Sequence, residues 1–114
     1  MTKDYIALTK QIDLNNRAVY QVAPEAMSGF RAVVEASSKD GALEAKTKEL
    51  MALCASIALR CEDCIAFHAR AAHQKGATRE EVAETIAVAV EMGGGPAAVY
   101  AGKALNAFDQ FAAG

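Results

Sequence analysis

Along residues 3 to 22 the apolar positions Tyr5, Leu8, Ile12, Val19 and Val22 recur at three- and four-residue spacing, interrupted at Asn15, which predicts an amphipathic helix. Pro24 restarts the chain at a position suited to a first helical turn, and Met27, Phe30, Val33 and Val34 give the next helix an apolar face to about Ala36. SSKDG at 37–41 reads as a loop. From Ala42 to about Leu59, Leu43, Leu50, Leu53, Cys54 and Ile57 form a third helical stripe with no glycine or proline after Gly41 to break it. The polar run Arg60–Asp63 predicts a break, after which a helix through IAFHARAAHQ stops at Gly76. Thr78 with Glu81 three residues on is a capping box, opening a helix over 79–92. IAVAV at 86–90 has strand character, but the cap and the unbroken length favour helix. GGG at 93–95 ends it, and Pro96 opens a last helix to about Ala112 striped with Ala101, Ala104, Leu105, Phe108 and Phe111. The pattern therefore predicts an all-α, single-domain, six-helix chain.

Composition narrows this further. The 114 residues are 53% hydrophobic with only seven aromatics, so a lone domain buries little large side-chain surface and association with further copies is expected. A formal charge of −2 without a basic cluster argues against nucleic acid as a partner. The individual apolar runs fall short of the roughly 20 residues of a membrane span, and MTKDYIALTK lacks a signal-like apolar core, so a cytoplasmic location without membrane association is expected. Three cysteines, an odd number, argue for thiols that stay reduced or cycle, against a structural disulfide framework.

The chemistry concentrates in ELMALCASIALRCEDCIAFH, residues 49–68. On a helix at about 100° per residue, Cys61, Cys64 and His68 fall within about 60° of one face. A thiol reacts as thiolate, an imidazole one turn away is placed to take its proton, and a second thiol three residues back can close a disulfide. Glu49 is a carboxylate on a mostly apolar stripe and a candidate partner for the imidazole. Cys54, among Leu50, Met51, Ile57 and Ala58, reads as a small core residue, and His73 as a charge at a helix C-terminus. Tyr100 is compatible with either a core or a site position. Glu80, Glu81 and Glu84 read as a solvated face.

The spacing from Glu49 through Cys61 and Cys64 to His68 resembles the E-x11-C-x2-C-x3-H pattern of alkylhydroperoxidase D, in the carboxymuconolactone decarboxylase-like family. PEAMSGF at 24–30 and MGGGPAAVYAG at 92–102 are also similar to single-domain members, so the resemblance spans most of the chain. It implies an all-helical homo-oligomer, a trimer or hexamer, and a thiol-dependent peroxidase or disulfide reductase acting on organic hydroperoxides. It implies no bound cofactor and no metal, and regeneration by an external dithiol, protein-bound lipoamide in the best-known relative. Glu49, Cys61, Cys64 and His68 are then the catalytic set; the one-turn spacing to His68 favours Cys64 as the attacker and Cys61 as the resolving thiol, while the helix start could equally lower the pKa of Cys61, and Glu49 would orient His68. The chain departs from the pattern at Asp63, where the namesake carries a histidine, and Glu62 and Asp63 then place two anionic groups beside the thiols.

Three other readings compete. Cys61, Cys64, His68 and His73 are all zinc-ligand types, but His73 lies about 120° around the helix from Cys61 and no second C-x-x-C exists. A lyase of the carboxymuconolactone decarboxylase type needs no paired thiols. A non-enzymatic, redox-sensing oligomer would retain the motif without turnover.

Overall fold

The computed structural model describes residues 3–114. Five helices follow in order: α1 (Tyr5–Val22), α2 (Pro24–Ser38), α3 (Ala45–Ala58), α4 (Glu62–Gln74) and α5 (Arg79–Ala113). Where the sequence pattern predicts separate helices on either side of 93–95, α5 joins two helical arms across a kink at that glycine run. Only Gly94 leaves helical geometry, at φ 64° and ψ −146°, and Pro96 follows in the first turn of the second arm. At Gly93 an added Cβ would stand 2.6 Å from Ala97 Cβ, so the bend also demands a missing side chain there.

The core is a three-helix contact of α3, α4 and α5, with the first turns of α1 laid across α4 and α5. Leu53 and Ile57 of α3, Ile65 of α4, and Val82 and Phe108 of α5 supply its bulk. Alanines at 66, 69, 72, 89, 97, 101, 104 and 107 are buried between them and let the helices approach closely. The buried threonine and serine bond within their own helices, Thr9 Oγ1 to Ile6 O and Ser56 Oγ to Ala52 O. Counted as one element, α5 is long and apolar enough to cross a bilayer by length and composition alone, which its separate runs are not; here it is bent and packs on α3 and α4.

The connections explain the boundaries. Asp40 Oδ1 accepts from Ala45 N at 2.7 Å, which starts α3 at Ala45 and leaves Leu43, expected in the helix, exposed in the loop. α3 ends in a Schellman motif in which Cys61 N donates to Ser56 O and Arg60 N to Ile57 O. Arg60 takes the left-handed position, φ 58°, that glycine usually fills. Helix α4 ends the same way around Gly76, φ 87°, and the expected Thr78/Glu81 capping box opens α5.

The second half of α1 and all of α2 stand away from this core. No residue of α2 is buried, and Phe30 and Val33 are 62% and 65% exposed. The radius of gyration, 14.2 Å, exceeds the roughly 13 Å of a compact chain of this length. The turn between the two helices is held by Pro24 at the start of α2 and by the Tyr20 hydroxyl donating to Met27 O at 3.2 Å.

Candidate active site

The Arg60 turn sets Cys61 as the N-cap of α4, and its Sγ accepts from Cys64 N at 3.3 Å. Cys61 and Cys64 are joined by a disulfide with Cα atoms 5.2 Å apart. Sulfur at an N-cap sees the unpaired N–H groups and positive end of the helix, so charge arriving on Cys61 is stabilised there. The predicted break before the cysteines is therefore present and does chemical work. Cys54 is the free cysteine, half-buried against the core, and burial pushes its thiol up.

Glu49 and His68 meet across the α3–α4 hairpin, Glu49 Oε2 lying 2.8 Å from His68 Nδ1. Both side chains are largely covered, at 13% and 28% exposure. A carboxylate only accepts, so Nδ1 carries the proton and Nε2 is left as the base. The carboxylate that stood out on an apolar stripe thus has a cross-helix partner. All four residues singled out in the sequence come together here.

Cys64 and His68 line a cavity of about 360 Å³ with Asp63 and Phe67 of α4. Its other wall is the projecting hairpin: Ile12, Asn16 and Tyr20 of α1 and Met27, Phe30, Arg31 and Val34 of α2. Cys61 is not among the lining residues, so Cys64 is the sulfur that faces the space. The α1 wall is tied to α4 by Arg70, which donates to Asp13 at 3.2 and 3.4 Å while its guanidinium lies 5.2 Å from the Phe67 ring. Tyr100 lies outside the lining, packed on the core with the Lys103 ammonium 5.8 Å from its ring. His73 stands in the last turn of α4 as expected, edge-on to Phe108 at 5.8 Å. Glu81, expected to be solvated and to complete the Thr78 capping box, also pairs with Lys46 at 3.0 Å.

The two anions beside the thiols differ. Asp63 is exposed, whereas Glu62 turns toward the chain ends and accepts from Lys3 Nζ at 2.7 Å, Tyr5 Oη at 3.0 Å and Lys103 Nζ at 3.2 Å. The Lys3 hydrogen bond, with those from Tyr5 and Lys103 and against some burial, holds the Glu62 carboxyl down at about 2. Burial, reinforced by Glu62, pushes the Tyr5 hydroxyl up to about 12. The sequence gives no local signal for this cluster, since the partners of Glu62 lie 41 to 59 residues from it.

The sequence profile of the Carboxymuconolactone decarboxylase family matches residues 24–107. An apo carboxymuconolactone decarboxylase family protein from Legionella pneumophila has a similar structure, with a TM-score of 0.91 at 44% identity, covering 94% of this chain and 96% of its own. A Thermotoga maritima family protein with a candidate role in the antioxidative response superposes with a TM-score of 0.84 at 30% identity, over 94% of this chain and 91% of its own. An uncharacterized protein from Cupriavidus necator is 44% identical over 109 residues, 96% of each chain.

Proposed function

The chain belongs to the carboxymuconolactone decarboxylase family, and from that premise we propose that it is a thiol peroxidase of the alkylhydroperoxidase D type, reducing organic hydroperoxides through the Cys61–Cys64 pair. One observation carries the reading: a sulfur that forms a disulfide with its helix neighbour lines an apolar-walled cavity together with a histidine whose other nitrogen is held by a carboxylate. The wall of Ile12, Tyr20, Met27, Phe30, Val34 and Phe67 suits an alkyl or aryl body, with the peroxide directed at Cys64.

In the reduced protein His68 Nε2 takes the Cys64 proton, and Glu49 offsets the imidazolium charge. The thiolate attacks the terminal peroxide oxygen: an S–O bond forms, the O–O bond breaks, and the alkoxide leaves as alcohol with the proton from His68. Cys64 is now a sulfenic acid, oxidised by two electrons. Cys61 displaces its oxygen as water and closes the disulfide. An external dithiol, protein-bound lipoamide in the alkylhydroperoxidase D pattern, then attacks Cys64 from the cavity and expels Cys61. A thiolate stabilised at a helix N-cap is a good leaving group for that step. The balance is one hydroperoxide and one dithiol in, one alcohol, one water and one disulfide out.

The same reading includes association of the chain with copies of itself. The exposed α2, which supplies four of the eleven residues lining the cavity yet buries nothing in one chain, supports it.

Steady-state reduction of cumene hydroperoxide with dithiothreitol or dihydrolipoamide as reductant tests the proposal. Turnover abolished by Cys61→Ser and by Cys64→Ser, and unaffected by a chelator, is expected. Absence of turnover with any dithiol would overturn it, and lactone decarboxylation surviving both cysteine substitutions would point to the lyase chemistry that names the family.

A further inference from the structure

Glu62 follows Cys61 directly in the first turn of α4, and three donors converge on its carboxylate. They arrive from opposite ends of the chain, Lys3 and Tyr5 before or at the start of α1, and Lys103 from the second arm of α5. Gln110 ties those ends together, accepting from Tyr5 N at 2.8 Å and donating to Lys3 O at 2.7 Å. One carboxylate faces two ammonium groups, so the cluster carries one net positive charge with Tyr5 neutral. That surplus adjoins the residue that must leave as a thiolate whenever the disulfide is reduced.

Among the described residues, the other charged or titratable groups around this turn include Asp63 on α4, Arg60 in the preceding turn, the Glu49–His68 pair between α3 and α4, and Tyr20 and Arg31 across the cavity. Arg31 is engaged by Glu35 at 2.9 Å and Glu49 by His68, and Arg60 is exposed. Lys3 and Lys103 are thus the cations whose salt-bridge partner is the residue next to Cys61.

We propose that Lys3 and Lys103 are positioning residues for the thiol pair: by over-neutralising Glu62 they make the first turn of α4 a place where Cys61 rests as a thiolate. The proposal rests on Cys61 and Cys64 cycling between disulfide and dithiol, and adds the charge balance that sets how readily Cys61 leaves. Without the lysines, Glu62 and Asp63 would oppose the helix terminus, and reduction of the disulfide would release a poor leaving group. For an order-of-magnitude separation of roughly 7–10 Å and an effective dielectric of about 40, one ammonium would shift a thiol by roughly half a unit to one unit.

The test titrates Cys61 by ultraviolet thiolate absorbance in the full chain carrying Cys54→Ser and Cys64→Ser. Lys103→Met should move the Cys61 titration upward by roughly half a unit or more, and Lys103→Arg should leave it in place. Adding Glu62→Gln to Lys103→Met should return it to the parent value or below. A loosened turn cannot produce that reversal of sign. Lys3→Met, at the exposed chain end, gives the same upward direction in a second variant should Lys103→Met fold poorly. An unmoved titration in both lysine variants, or Glu62→Gln and Lys103→Met each shifting it upward, overturns the proposal. No peroxide enters this measurement, so an inactive peroxidase with the predicted titrations would sink the activity alone.

Discussion

Glu49→Gln keeps the size of the side chain and an acceptor 2.8 Å from His68 Nδ1, and removes only the charge. The charge matters when His68 takes the Cys64 proton and becomes an imidazolium. A hydrogen bond to a charged group is worth about 1.5–3 kcal/mol, and the Coulomb attraction at about 4 Å reaches about 4 kcal/mol at an effective dielectric near 20. With His68 28% exposed and Glu49 13% exposed, solvent screening keeps the effect below the top of that span. A loss of about 2.7 kcal/mol corresponds to about 100-fold in rate. The rate to follow is thiol loss in a single turnover of reduced protein with cumene hydroperoxide, by acid quench and thiol titration, because the chain has no tryptophan to report optically. His68→Gln should cost at least as much. Since Glu49 acts only through His68, the double substitution should be no slower than His68→Gln alone. Parental rates in Glu49→Gln, or full additivity in the double variant, would refute the relay.

Asp63→His removes the uncompensated anion at the cavity and supplies the histidine of the namesake pattern, so single-turnover oxidation should accelerate. Arg60→Gly relieves a left-handed residue at the α3 terminus and should stabilise by about 0.5–1 kcal/mol after the entropy of glycine is set against it, raising Tm by about 2–5 °C when compared at one protein concentration; a lowered Tm would mean the Arg60 side chain is needed. The Glu62 carboxyl sits at about 2 against an ordinary 4.5, so its cluster stabilises fully above about 4.5 and fades as pH falls toward about 2. Tyr5, raised from 10.0 to about 12, stabilises below about 10 and fades through that upper window. Thermal unfolding across pH should show both losses, and Glu62→Gln should flatten the acid one.

The helices were legible because period, caps and breakers agreed, and the α4–α5 junction shows it: Gly76, then Thr78 with Glu81, all took their expected roles. The GGG run was legible as the interruption between the two arms of α5. Which glycine leaves the helix, and whether hydrogen bonding resumes after it, depends on how both arms pack on α3 and α4. Glu49 was legible as an anomaly on an apolar stripe, while its contact with His68 required a tight α3–α4 hairpin. That hairpin turns on Arg60, an unlikely left-handed residue that no local propensity identifies. The Glu62 cluster was illegible for a related reason. Its lysines reach it from the two ends of the chain, so a reading by neighbours saw two anions beside the thiols where the fold leaves one. The hairpin wall of the cavity was half legible: the apolar face of α2 follows from its spacing, but its place opposite Cys64 does not.

The most direct test is a stoichiometric one. Fully reduced protein, given one equivalent of cumene hydroperoxide and no other reductant, should lose two thiols and yield one equivalent of the alcohol, with peptide mapping placing the new bond between Cys61 and Cys64 and leaving Cys54 free. Retention of all three thiols, or a bond mapped to Cys54, would contradict the account.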